Sequence, residues 1–168
     1  MKPPSRAFGW SVIAWAALAG CATRYGPESL PRDASVADIT AALGAPTARH
    51  AHAGGERLEY ARGPYGKHTY MLDVDARGRL AGWQQVLDEP HFDGIRAGMT
   101  RAELLMTLGH PSDTRILAFQ RRTLWSYRYD SPFCTWFQVA LDRQDRVVDT
   151  GYGPDPLCED FNFGDTGP

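Results

Sequence analysis

Apolar residues recur at helical spacing in two short segments of the chain, and each segment is followed by runs in which apolar and polar positions alternate. In the later segment Leu104, Leu105 and Leu108 fall on one face of a 3.6-residue period. Thr100, with Glu103 three residues on, has the spacing of a capping box, in which the threonine oxygen accepts from the Glu103 N–H and the glutamate reaches back to residue 100. Met99 and Leu104 are placed to clasp as a hydrophobic staple. Gly109 can take the left-handed C-cap conformation and Pro111 cannot continue a helix, so the pattern predicts a short, sharply bounded helix.

The earlier segment is built the same way. Ser35, Ala37, Asp38, Ile39, Leu43, Gly44 and Pro46 precede Thr100, Ala102, Glu103, Leu104, Leu108, Gly109 and Pro111 by 65 positions, each pair identical or chemically alike. Downstream, Tyr60, Tyr70, Leu72, Asp75, Arg79 and Leu80 precede Tyr127, Phe137, Val139, Asp142, Arg146 and Val147 by 67. The chain therefore reads as an internal duplication whose second copy carries two extra residues in its helix-to-strand loop, where insertions are tolerated.

Residues 56–62, 68–74 and 80–87 of the first copy alternate with the period of a half-buried strand, as do 123–129, 134–141 and 147–152 of the second. Asp75 to Gly78 and Asp142 to Asp145 supply turn chemistry, and such short connections imply antiparallel pairing. The expected fold is α+β: two tandem repeats, each a short helix followed by a three-stranded antiparallel sheet, with the helices packed on one sheet face. Residues 35–87 and 98–152 are the repeats, 88–97 a linker and 153–168 a tail rich in Pro, Gly and acid that only Cys158 can pin.

The N-terminus changes the picture of where the chain works. Lys2 and Arg6 precede an apolar run from Phe8 to Ala19, shorter than the roughly 20 residues a membrane span needs, so residues 1–20 read as a signal peptide. Leu18-Ala19-Gly20-Cys21 resembles the bacterial lipobox, which implies lipid attachment at Cys21, and by resemblance to sorted lipoproteins Ala22 implies the outer membrane. Residues 21–34 then form a tether with two prolines and a glycine. Without residues 1–20 the chain holds 16 basic and 20 acidic side chains and no basic stripe, which argues against nucleic acid as a ligand. Spending Cys21 on lipid leaves Cys134 and Cys158 as an even pair in an oxidising compartment, where they are expected to form a disulfide.

Ile95, Gly98-Met99-Thr100, Leu104, Leu108-Gly109-x-Pro111 and Trp125-Ser126-Tyr127 together resemble the SmpA/OmlA (BamE-like) domain of small bacterial outer-membrane lipoproteins, over about residues 92–152. The first copy departs from that pattern, with Asp33-Ala34-Ser35 in place of Gly-Met-Thr. Tandem copies in one secreted chain also resemble, in architecture alone, the beta-lactamase inhibitor protein, whose halves pack their sheets edge to edge. The first resemblance implies a lipid-anchored, non-enzymatic module that binds a periplasmic or outer-membrane protein and assists outer-membrane protein assembly or envelope integrity. The second keeps open an inhibitor or sensor that grips a periplasmic enzyme through its tandem sheet.

No nucleophile, base and orienting group assemble into a catalytic pattern along the chain, so neither an enzyme, a cofactor nor a small-molecule substrate is expected. His50 and His52 share one side of an extended Gly-Ala segment and read as solvated, because a third metal ligand is missing nearby. His110 reads as decoration at the helix exit, and Arg121 and Arg122 as a solvated loop. If Phe137, Val139 and Leu141 point at the helices, alternation sends Trp136, Gln138 and Ala140 to the opposite face, and the repeat register sends Thr69, Met71 and Asp73 with them. Trp136, Gln138, Met71 and Thr69 are therefore the expected partner-binding residues, an exposed tryptophan being a frequent interface anchor.

Overall fold

The computed structural model describes residues 24–52 and 54–159. Cys21 and the signal segment lie outside the described residues. The element order is α1 (Val36–Leu43), β1 (Ala48–His52), β2 (Gly55–Ala61), β3 (Thr69–Val74), β4 (Leu80–Gln85), α2 (Glu89–Phe92), α3 (Arg101–Leu108), β5 (Asp113–Leu117), β6 (Arg122–Arg128), β7 (Thr135–Leu141), β8 (Val147–Pro154) and α4 (Pro156–Glu159). The fold is α+β, with two antiparallel sheets in the orders β1-β2-β3-β4 and β5-β6-β7-β8.

Both long helices start as their sequences dictate. The Ser35 side chain accepts from the Asp38 N–H and Asp38 bonds back to the Ser35 N–H, and Thr100 and Glu103 do the same for α3. The Ser35 hydroxyl and then its backbone N–H hold the Asp38 carboxyl below the usual carboxylate range, and the Thr100 backbone N–H and then its hydroxyl do the same for Glu103. Each helix exits through a glycine with positive φ, Gly44 at 85° and Gly109 at 78°. Further detail recurs at the repeat spacing. Asp75 and Asp142 each accept two backbone N–H bonds in their turns. Each sheet has one register shift, at Asp73/Val74 and at Ala140/Leu141.

Each sheet has four strands, where three are expected from the alternation. The additional ones, β1 and β5, are edge strands: Ala48 to His52 pairs with Glu59 to Gly55, and Asp113 to Leu117 with Ser126 to Arg122. Neither segment advertises a strand, since one is Ala-Arg-His-Ala-His and the other is exposed almost throughout. Both are held by pairing with a buried neighbour, a context that propensity does not contain. The additional strands also relocate the insertion. Helix and edge strand keep the 65-residue register, so the two extra residues lie in the β5–β6 turn, residues 118–121, against 53–54 between β1 and β2.

Two buried clusters form the interior. Ile39 and Leu43 of α1 join Leu58, Tyr60, Tyr70, Leu72 and Leu80 in one. Leu104 and Leu108 of α3 join Trp125, Tyr127, Phe137, Val139 and Leu141 in the other, which also takes Phe92 and Ile95 from the segment between the repeats. Met71 of the first sheet belongs to this second cluster, because it faces away from α1 and toward α3. The two sheets are thus joined through α3, and among the described residues no strand of one sheet is bonded to a strand of the other. The edge-to-edge arrangement is not the one adopted.

Candidate functional site

The outward face of the first sheet is a junction between the repeats. Glu59, with no exposed surface, accepts from the His110 backbone N–H at 2.7 Å, and its carboxylate lies 2.9 Å from the His110 Nδ1 and 2.9 Å from the His50 Nε2. Arg57 donates twice to Asp73, at 2.6 and 2.9 Å, and once to the Met106 carbonyl at 3.1 Å. A buried carboxylate is tolerated only when its lone pairs are used in this way. Gly109 closes the junction: a Cβ there would stand 2.9 Å from Glu59 and from Thr69, so the helix end can approach the sheet only as glycine.

This docking overturns part of the expected partner surface. Thr69 and Met71 are buried, at 1% and 0% exposure, beneath the second repeat's helix. His50 lies in a strand and is largely covered, and His110, although its side chain stays 45% exposed at the helix exit, spans the junction, so both do more than their sequence setting suggests. Their role became visible only once Glu59, an ordinary strand glutamate in sequence, was placed between them.

Trp136 is buried as well, at 7% exposure. The Arg128 guanidinium lies 4.8 Å from its ring centroid and donates to Asp155 at 2.6 and 2.8 Å. Arg128 also bonds the Pro64 carbonyl of the first repeat. The hydrogen bond from Arg128 holds the Asp155 carboxyl below the usual carboxylate range. Cys134 and Cys158 are disulfide-bonded, with Cα atoms 5.9 Å apart, which draws α4 against the end of β7. The Trp136 indole N–H has no hydrogen-bond partner among the described residues. Of the four expected contact residues only Gln138 keeps solvent access, with its amide donating to Ser126 at 3.2 Å. The tail thus does more than expected: β8 runs to Pro154, and Asp155 anchors it by charge as well as by the disulfide.

The three most exposed large apolar side chains belong to the second repeat, while Tyr65 and Trp83 of the first also reach solvent. Phe119, at the tip of the lengthened β5–β6 hairpin, is fully exposed, and Ile116 beside it is 78% exposed. Arg121 closes the tip with φ 55°. Phe133 projects from the β6–β7 loop, 81% exposed. A groove of about 710 Å³ runs between β1 and α3, lined by Arg49, His50, Met99, Ala102, Met106 and Thr107 among others. No group of three or more His, Cys, Asp or Glu side chains suited to a metal ion occurs among the described residues. The hairpin was legible as a change of repeat register beside Phe119, but not as a projecting finger.

Fold and disulfide define an α+β tandem-sheet protein, and among the described residues no helix is long and apolar enough to cross a membrane. No protein-family model and no curated protein matches the chain. Among solved structures, it is similar to an extracellular protein containing a SCP domain from Bacillus anthracis at 13% identity and a TM-score of 0.28, over 76% of this chain and 45% of that one. A likeness of that size carries no argument, and the chain spans less than half of that structure.

Proposed function

We propose that this protein is a lipid-anchored, non-enzymatic protein-binding module of the bacterial outer membrane, acting in outer-membrane protein assembly or envelope integrity. The lipobox at Cys21 and the resemblance of residues 92–152 to the SmpA/OmlA (BamE-like) domain support the anchor and the setting. One observation carries the binding role: the two residues that the second repeat has and the first lacks extend a hairpin whose tip displays Phe119 to solvent. An aromatic side chain that packs against nothing in its own fold is a candidate interface anchor. The partner surface is therefore the hairpin and its Ile116 flank, in place of the face bearing Thr69, Met71 and Trp136. An inhibitor that enters a periplasmic enzyme's cleft is the second reading, favoured by the same projecting finger.

The test is cross-linking in intact cells from a photoreactive residue at position 119, with fatty-acid labelling of the same strain. Capture of an outer-membrane protein or assembly factor that is lost in Phe119→Ala supports the first reading, and capture of a soluble hydrolase supports the second. If no label enters the protein and Cys21→Ser leaves its fractionation unchanged, the anchor is wrong.

A further inference from the structure

We propose that a cleft on the helix-facing side of β8 seats Phe161 and Phe163 of this same chain, the two phenylalanines that lie just beyond the described residues. The cleft measures about 610 Å³ and lies between Phe92, Ile95 and Arg96 of the segment joining the repeats and Thr150 and Tyr152 of β8. Its floor is Phe92 stacked on Phe137, with ring centroids 4.2 Å apart. Tyr152, 51% exposed, meets Phe137 edge-on at 5.5 Å. Asp93 and Arg96 both border the cleft, so neither sign of charge is favoured and the rings select the occupant.

The first repeat shows what such a place takes. Trp83 pairs with Leu72, and its indole meets the Tyr70 ring edge-on at 6.0 Å. Thr150 pairs with Val139 in the same way, and Val139 and Phe137 stand where the first repeat has Leu72 and Tyr70. The second repeat therefore has a threonine where the first has an indole, and the cleft opens at that position, beside Phe137. The ring that completes it comes from the tail. The Cys158 Cα is 5.9 Å from that of Cys134, and Phe137 is three strand residues further on, about 10 Å. An extended chain spans about 3.3 Å per residue, so Phe163, five residues past Cys158, reaches about 17 Å. Residues 160–168 hold two large apolar side chains, and both are phenylalanines, separated by one residue so that an extended segment presents them on one side. Seated in the cleft, the rings leave water for apolar surface and hold the chain beyond the disulfide. This seat is independent of what the Phe119 hairpin binds.

The experiment is limited chymotrypsin digestion of the full chain, with cleavage after Phe161 and Phe163 timed by mass spectrometry against a synthetic peptide of residues 159–168. Cleavage of a segment that opens and closes tracks its open fraction, so the wild type should be cut about tenfold or more slowly than the peptide. Thr150→Trp puts the first repeat's indole into the cleft and should raise the rate to that of the peptide, whereas Thr150→Ser should leave it slow. Phe163→Ala should likewise speed cleavage after Phe161. Urea unfolding checks that each variant folds. A benzoylphenylalanine at position 163 gives a second reading that leaves the cleft unchanged: its cross-link should fall within residues 92–96 or 150–152 of the same molecule. Wild-type cleavage at the rate of the peptide overturns the proposal, as does a folded Thr150→Trp protein that keeps its protection. Cross-links that map elsewhere, or that join two copies, overturn it too.

Discussion

The Tyr127 hydroxyl donates to the Gly109 carbonyl at 3.1 Å, tying the middle of β6 to the end of α3, and Tyr60 makes the same bond to Gly44 at 3.2 Å in the first repeat. Tyr127 is wholly buried; burial, and then the charge of Glu59, push its hydroxyl well above the usual tyrosine range. Tyr127→Phe should therefore cost about 1 to 2 kcal/mol by leaving the Gly109 carbonyl without its partner. Urea unfolding reads this as a lower midpoint with an unchanged slope. Tyr60→Phe should cost less, because Gly44 is only half-buried and water can replace the hydroxyl.

Glu59 and His110 join the repeats, so their contributions should not add. Glu59→Gln keeps an acceptor for the His110 N–H but removes the charge, and an expected loss of about 1 to 3 kcal/mol follows. In the double variant with His110→Ala the coupling should be on the order of 1 kcal/mol, measured as the shortfall from additivity in a thermodynamic cycle. Additive losses would mean that the junction does not hold the halves together.

Trp136→Ala should destabilise the fold by about 3 to 5 kcal/mol, because the ring is buried under Arg128. Phe119→Ala should leave the unfolding midpoint unchanged, because Phe119 is fully exposed. The contrast between the two, in one denaturation series, separates a structural aromatic from a surface one.

Acid should weaken the hold on the tail. The Asp155 carboxyl is depressed in the folded state by its hydrogen bonds from Arg128, so its stabilisation is full above the ordinary aspartate range and drains away as pH falls through the lower folded value, below about pH 4. Asp155→Asn should remove that acid-sensitive component. At neutral pH it should cost about 3 kcal/mol by leaving Arg128 buried without its counter-ion.

Reduction acts on the same end of the molecule. Opening the Cys134–Cys158 bridge, which spans 24 residues of sequence, should cost about 3 kcal/mol on a chain-entropy account. The fluorescence of Trp136 should shift to the red if α4 leaves β7, and the Cys134→Ser, Cys158→Ser double variant should reproduce the change without reductant.

Much of this architecture was legible along the chain because its signals are short-range. The Ser35–Asp38 and Thr100–Glu103 caps, the exits at Gly44 and Gly109 and the turns at Asp75 and Asp142 each depend on residues within four positions of one another. Paired offsets of 65 and 67 exposed the duplication, and the count of cysteines pointed to Cys134 and Cys158. What tertiary structure decided was which surfaces are covered. Alternation separates Trp136 from Phe137 and Val139, and Met71 and Thr69 from Tyr70 and Leu72, which lie in the cores of their own repeats, yet it carries no information on what arrives from elsewhere. Here α3 comes down on Met71 and Thr69, and Arg128 with Asp155 closes over Trp136. The edge strands β1 and β5 belong to the same category, since partner strands, not their own side chains, hold them extended. A period-two pattern states that two faces exist and differ; burial of the second face is a long-range event, determined by docking between residues some 50 positions apart, as Glu59 and His110 are.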